Sequence, residues 1–132
     1  MGIQKILVVD DDRDNLSLLR QILEIGGMNV VCAISAEDAL GKIAAGKSFD
    51  IMLTDLNMPG LNGIALAQRV SVIAPRMPVL LMTGDISPDT PQMAQAAGIA
   101  LVLNKPFHPA RLMQVIQEHS LHQSPMLEQP TL

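Results

Sequence analysis

The strongest constraint on the fold is the alternation of short apolar runs with longer amphipathic stretches. Between the runs, apolar residues recur at three- and four-residue spacing, as Leu16, Leu19 and Ile22 do, which predicts amphipathic helices. Each apolar run is too short for a helix and suits a strand buried on both faces. The five runs are KILVVD, NVVCAI, DIMLTD, PVLLMTG and ALVLNK. The alternation predicts an α/β fold, an open parallel sheet with helices on both faces.

Residues that begin and end helices support this pattern. Ser35 starts a capping-box-like sequence, and Gly26 is typical of a helix end. Thr90 followed by proline predicts another helix start. The periodicity is lost near position 120, so we expect residues 1–120 to form the domain and residues 121–132 to form a frayed or disordered tail.

Composition and charge exclude several classes of protein. The chain has 132 residues, the size of one domain, and 48% of them are hydrophobic, which indicates a globular core. A net charge of −4 gives no basic surface for nucleic acid or an anionic membrane, so we expect neither as a direct partner. The N-terminus lacks the pattern of a signal peptide, and one cysteine cannot form a disulfide framework. These features predict a cytoplasmic protein.

Polar side chains follow the apolar runs at positions that would meet at one edge of the sheet. Asp10 and Asp11 follow the first run, Asp55 ends the third, Thr83 the fourth and Lys105 the fifth. The carboxyl ends of parallel strands form the ligand site of an open sheet. Two carboxylates about 4 Å apart repel by roughly 4 kcal/mol at an effective dielectric constant of about 20. A hard divalent cation, Mg²⁺ or alternatively Mn²⁺, would relieve that repulsion.

The same edge suits phosphoryl transfer to a carboxylate. A cation beside Asp55 would neutralise an arriving phosphoryl group. The Lys105 ammonium and the Thr83 hydroxyl would then contact phosphoryl oxygens. These residue types predict Asp55 as the phosphoryl acceptor, with Thr83 and Lys105 in supporting roles.

Four segments resemble, in order and spacing, the receiver domain of two-component response regulators, the CheY-like superfamily: ILVVDDD, LTDLNMPG, LLMTG and NKPF. The resemblance covers residues 4 to about 120. It implies a flavodoxin-like, doubly wound sheet of five parallel strands in the order 2-1-3-4-5. It also implies that Asp55 accepts phosphate from a histidine kinase or a phosphotransfer protein. Asp10, Asp11, Asp55 and the main-chain carbonyl of Asn57 would bind Mg²⁺.

By the same resemblance, Thr83 and Lys105 read the phosphorylated state, and the peptide bond from Lys105 to Pro106 is cis. Such a protein regulates a downstream protein by conformational change, with a phosphorylation-dependent dimer as a further expectation. It is not an enzyme apart from self-dephosphorylation. Val102 departs from the family pattern, which commonly has Tyr or Phe at that position, so output through a rotating aromatic ring is not expected here.

Three other functions fit parts of the pattern. A haloacid-dehalogenase-like phosphatase would use the acids after the first strand but leaves Asp55 unexplained. A calcium loop fits Asp10, Asp12 and Asp14, but Asn15 stands where that loop needs Gly. A docking module that works without phosphorylation would have lost an acidic or Lys position, and none is lost. The chain is either a single-domain regulator or relay, or a receiver from a longer regulator or hybrid kinase.

Overall fold

Strands and helices alternate throughout residues 4–120, the part of the chain that the computed structural model describes. Each predicted apolar run forms a strand, and the amphipathic stretches between the runs form helices. The expected tail at residues 121–132 lies outside the described residues, so the predicted domain boundaries stay a prediction. The elements are β1 (Lys5–Val9), α1 (Arg13–Ile25), β2 (Asn29–Ala33), α2 (Ala36–Ala44), β3 (Ile51–Asp55), α3 (Gly63–Ile73), β4 (Val79–Thr83), α4 (Thr90–Ala96), β5 (Leu101–Asn104) and α5 (Pro109–His119).

The five strands form one parallel sheet in the order β2-β1-β3-β4-β5. This confirms the flavodoxin-like fold and the strand order that the resemblance implied. The order reverses between β1 and β3, where an open sheet of this kind forms its ligand crevice. In the register of these two strands Val9 pairs with Thr54. Asp10, the residue after β1, and Asp55, the last residue of β3, therefore come to the same edge of the sheet.

The two faces of the sheet bury separate apolar cores. Leu7 and Val9 of β1 join the core under α2, α3 and α4, whereas Ile6 and Val8 join the core under α1 and α5. All four side chains are fully buried, at 0% exposure. Burying a side chain of this size stabilises the fold by about 1.5 to 3 kcal/mol. Since β1 is packed on both faces, the backbone that leads into Asp10 and Asp11 is held in place.

Side-chain caps determine where α1 and α2 begin. Asp12 accepts hydrogen bonds from two backbone N–H groups in the first turn of α1. Ser35 accepts from the N–H of Asp38 ahead of α2, which confirms the predicted cap. Helix α1 ends at Gly26, also as predicted, and Gly27 follows with a φ of 88° that favours glycine.

Helix α4 begins differently from the prediction. Asp89 precedes it and makes no side-chain cap hydrogen bond, and Thr90 is already the first helical residue. The Thr90 hydroxyl accepts instead from the N–H of Ser87 at 3.0 Å. The expected cap is therefore displaced by one residue, because the loop before α4 engages the Thr90 hydroxyl. Among residues 4–120, no helix has the length and apolar character needed to cross a bilayer.

Candidate functional site

Three carboxylates meet at the carboxyl end of the sheet, between β1 and β3. Asp10 and Asp11 follow β1, and Asp55 ends β3. Carboxylate oxygens of the three residues lie within 4.8 Å of one another. Asp10 and Asp55 are buried, with 1% and 8% of their surface exposed, whereas Asp11 is exposed. The structure thus brings together the acids that the sequence pattern predicted, and their oxygens are the ligands that a hard divalent cation prefers.

Asp10 is held through both of its carboxylate oxygens. The N–H of Asp12 donates to Oδ1 at 3.0 Å, and the side-chain amide of Asn15 donates to Oδ2 at 2.5 Å. Sequence reasoning missed the contact from Asn15. The signal that could have found it is an amide side chain in the first helical turn after a strand that ends in acids.

Asp55 forms an ion pair with Lys105. The Lys105 Nζ lies 3.1 Å from the Asp55 Oδ1, and the two side chains are 30% and 12% exposed. Burial raises the pKa of Asp55 above its ordinary value of 3.8, Lys105 opposes this rise, and the nearby charge of Asp10 adds to it. Because burial has the largest effect, the ionised form of Asp55 is less favourable in the folded protein than in water.

Thr83 and Lys105 are joined through their backbones at the ends of β4 and β5. The N–H of Lys105 donates to the Thr83 carbonyl at 2.8 Å. The Thr83 side chain is fully buried, and its hydroxyl accepts from the N–H of Asp85 at 3.1 Å. The peptide bond from Lys105 to Pro106 is cis, as the resemblance implied. The register places Asp55 opposite Met82, one residue before Thr83, so the predicted hydroxyl and ammonium share the edge with the acids.

The backbone of Asp55 is held by residues that sequence reasoning missed. The buried Thr54 hydroxyl donates to the Asp55 carbonyl at 3.0 Å. Gly63, at the start of α3, packs directly on that carbonyl oxygen, and a Cβ atom at Gly63 would also come within 2.8 Å of a Leu81 methyl carbon. The N–H of Gly63 donates to the Leu56 carbonyl at 2.9 Å. Helix α3 is thereby fixed against the carboxyl end of β3.

Two further predicted positions lie near this edge. Asn57 is exposed in the loop between β3 and α3, two residues after Asp55, and the role of its main-chain carbonyl as a ligand stays a prediction. Gly60 turns the same loop with a φ of 76°. Val102 is half-buried in β5 and packs against the core under α2, α3 and α4.

Comparisons with known proteins agree with this fold. Residues 6–117 match the family model of the response regulator receiver domain. The response regulator protein FleR of Pseudomonas aeruginosa is 37% identical over 125 residues, which are 95% of this chain and 26% of FleR. The chain spans about a quarter of the length of the first curated relatives it matches.

Solved structures share the architecture. A CheY-like response regulator receiver domain protein from Methanospirillum hungatei has a TM-score of 0.84 at 32% identity, over 89% of this chain and 93% of that chain. The chemotaxis protein CheY4 of Vibrio cholerae has a TM-score of 0.84 at 30% identity, over 89% of this chain and 99% of that chain. From the sheet order, the acidic edge and these matches, the chain belongs to the response regulator receiver domain family.

Proposed function

We propose that this chain is a phosphorylation-dependent signalling switch in which Asp55 accepts a phosphoryl group from a histidine kinase or a phosphotransfer protein. Receiver domains of two-component response regulators are regulatory switches and not classical enzymes. The observation that carries the proposal is the 3.1 Å ion pair between Lys105 and Asp55 within the group of three carboxylates. An ammonium in that position is a point-charge partner for an oxygen of the added phosphoryl group.

The transfer step requires an ionised carboxylate. One oxygen of Asp55 attacks the phosphorus atom, the bond from phosphorus to the donor's imidazole nitrogen breaks, and its electron pair returns to the ring. Lys105 favours the ionised form of Asp55 and so opposes the effect of burial on the pKa. Burial of Asp55 excludes bulk water from one side of the reacting carboxylate.

Asp10, Asp11, Asp55 and the main-chain carbonyl of Asn57 are the proposed ligands of Mg²⁺, with Mn²⁺ as an alternative. Carboxylate oxygens within 4.8 Å of one another match the hard oxygen donors that these cations require. A bound cation supplies positive charge that offsets both the carboxylates and the phosphoryl oxygens. Asp11 is exposed to solvent, whereas Asp10 is buried and accepts hydrogen bonds from two donors. Asp11 would therefore be an accessible ligand and Asp10 a fixed one.

The proposed output runs through the segment from Thr83 to Pro91 and the helix α4 that follows it. A phosphoryl group on Asp55 attracts the Thr83 hydroxyl, because a charge-assisted hydrogen bond is about twice as strong as a neutral one. The same hydroxyl accepts a hydrogen bond from the N–H of Asp85 at 3.1 Å. Displacement of the hydroxyl would therefore change the conformation of residues 84–89. Val102 has a short branched side chain and cannot carry the signal as a swinging ring would. A downstream protein, or a second copy in a phosphorylation-dependent dimer, would read the change in a cytoplasmic setting.

The alternatives fit the site less well. A haloacid-dehalogenase-like phosphatase would need an acid after β1 as its nucleophile, whereas Lys105 pairs with Asp55 and the family match covers residues 6–117. A receiver-like docking module would work without phosphorylation, although the acids, Thr83 and Lys105 are all present.

Labelling of Asp55 tests the proposal. The protein is incubated with a radiolabelled phosphoramidate, with Mg²⁺ or with a chelator, and the bound label is counted. We expect label on the wild type with Mg²⁺, none with chelator, and none on Asp55→Asn. Asp89→Asn, which changes an exposed acid before α4, is the matched control and should label like wild type. Full labelling of Asp55→Asn would refute the assignment, and an unlabelled wild type would favour the docking module.

A further inference from the structure

We propose that Asn15 is a positioning residue for the cation site, where its side-chain amide orients the Asp10 carboxylate towards Asp11 and Asp55. This role rests on the proposed binding of a divalent cation. It adds to the cation site a residue, Asn15, that is neither an acid nor part of the ion pair between Lys105 and Asp55. It starts from the 2.5 Å hydrogen bond from the Asn15 Nδ2 to the Asp10 Oδ2.

The Asp10 carboxylate is fixed by donors on both sides. Asp10 is 1% exposed, so protein groups rather than bulk water determine its orientation. The N–H of Asp12 holds Oδ1 at 3.0 Å while the Asn15 amide holds Oδ2. An ionised carboxylate has about four lone-pair sites, so these two bonds leave acceptor capacity on each oxygen for a cation. With both oxygens held, rotation about the last side-chain bond is blocked before any cation arrives.

Asn15 is itself well placed to hold another residue. It lies half-buried in the first turn of α1, where its own N–H donates to the Asp12 Oδ1 at 3.3 Å. The buried side chains of Leu16 and Leu19 anchor that part of α1 in the core. The amide is therefore positioned by the helix and not by the carboxylate it contacts.

The chemistry of an amide also suits this position. A Lys or Arg side chain at the same place would bring a positive charge that competes with the cation. An Asp would add a fourth negative charge to the group of three carboxylates. Asn15 donates a hydrogen bond without altering the charge of the site. Outer partners that orient metal ligands in this way typically change metal affinity by about 10- to 100-fold when they are removed.

Mg²⁺ affinity distinguishes a positioning role from a structural one. If the amide only satisfied a buried carboxylate, its loss would lower the stability of the fold and leave Mg²⁺ affinity unchanged. We expect Asn15→Leu, which removes the amide but keeps the number and branching of the side-chain heavy atoms, to raise the Mg²⁺ dissociation constant by about 10-fold or more in titration calorimetry.

Val70→Ala is the matched control, because it opens a cavity under α3 at a buried side chain that lies outside the acidic group. It should lower stability and keep the wild-type Mg²⁺ affinity. If Asn15→Leu does not fold, Asn15→Ser replaces it, since a Ser hydroxyl is too short to reach Oδ2. A dissociation constant for the Asn15 variant equal to that of the wild type, or an equal weakening in Val70→Ala, would overturn the inference. A wild type that binds no Mg²⁺ would refute the proposed function instead.

Discussion

The Lys105 Nζ lies 3.1 Å from the Asp55 Oδ1, and this ion pair joins the ends of β3 and β5, two strands that β4 separates in the sheet. The Lys105 side chain therefore reaches across the end of β4, the strand that ends in Thr83. A change of charge at Asp55 acts on the ends of three neighbouring strands at once.

Stability should depend on pH through Asp55. Because burial raises its pKa above 3.8, Asp55 contributes most to stability below that pH, and the contribution is lost as the pH rises from 3.8 to the raised pKa. We therefore expect Asp55→Asn to be more stable than wild type near neutral pH without divalent cations, and the difference to disappear as the pH falls below 3.8. Urea denaturation across this pH range checks it, with Asp89→Asn as the control. Parallel stability curves for Asp55→Asn and wild type would contradict the expectation.

Mg²⁺ should stabilise the folded protein, because it relieves the repulsion among the three carboxylates. At a hundredfold excess over its dissociation constant the expected gain is about 2.7 kcal/mol. Asp11→Asn should fold normally, since Asp11 is exposed, but should show a smaller gain. Thermal melting with and without Mg²⁺, at matched ionic strength, measures the difference. The hypothesis fails if Asp11→Asn gains as much as the wild type.

Two glycine substitutions should have opposite effects on stability. Gly63→Ala places a methyl group against the Asp55 carbonyl and a Leu81 methyl carbon, and such overpacking costs about 1 to 3 kcal/mol. In Gly41→Ala, inside α2, the new methyl group meets no heavy atom within 4 Å among residues 4–120 beyond the adjoining helix backbone, and the change should stabilise by about 0.5 to 1 kcal/mol. Chemical denaturation of both variants gives the comparison. Equal effects would mean that the close packing of α3 on β3 does not constrain the site.

The strands, most helix ends and the acidic edge could be predicted from the sequence because each depends on local patterns. Buried runs identify strands, and the carboxyl ends of parallel strands converge whatever the loops do. The role of Asn15 depends on how α1 rotates over β1, and that of Gly63 on how closely α3 approaches β3. Neither quantity is encoded in residue spacing. The start of α4 was displaced for a similar reason, since Ser87 and Thr90 bond to each other instead of forming the usual cap.

Phosphorylation should alter the loop before α4. Amide exchange with and without beryllofluoride should show changed protection in residues 84–98, the loop together with α4, because the Thr83 hydroxyl that holds the N–H of Asp85 is drawn towards Asp55. Thr83→Ala removes that hydroxyl and should abolish the change while leaving the rest of the sheet protected. Changes confined to β5 and α5 in the wild type would show that the signal takes another route.

The phosphorylated state should decay by hydrolysis within seconds to minutes. Asn57 and Asp85 are exposed polar residues, two positions after Asp55 and Thr83, and can orient an attacking water. Asp85→Leu should lengthen the lifetime of the label because it removes one of these groups. The decay of bound label after removal of the donor is the measurement, with Ser87→Ala as a neighbouring control. A decay rate equal to that of the wild type would remove Asp85 from this role.

The contact between Gly63 and the Asp55 carbonyl holds the proposed acceptor more tightly on the side of α3 than on the side of β5. Thr54 and Gly63 contact the Asp55 carbonyl at the end of β3. The Leu56 N–H joins this end of β3 to β4 through a 2.9 Å hydrogen bond to the Met82 carbonyl. Towards α3 the Asp55 carbonyl packs against Gly63, which leaves no room for its backbone to move in that direction. On the side of β4 and β5 lie Thr83, the Lys105 ammonium and the exposed residues 84–89. We therefore expect a phosphoryl group on Asp55 to leave the backbone beside α3 in place and to draw on the Thr83 hydroxyl and the Lys105 ammonium instead.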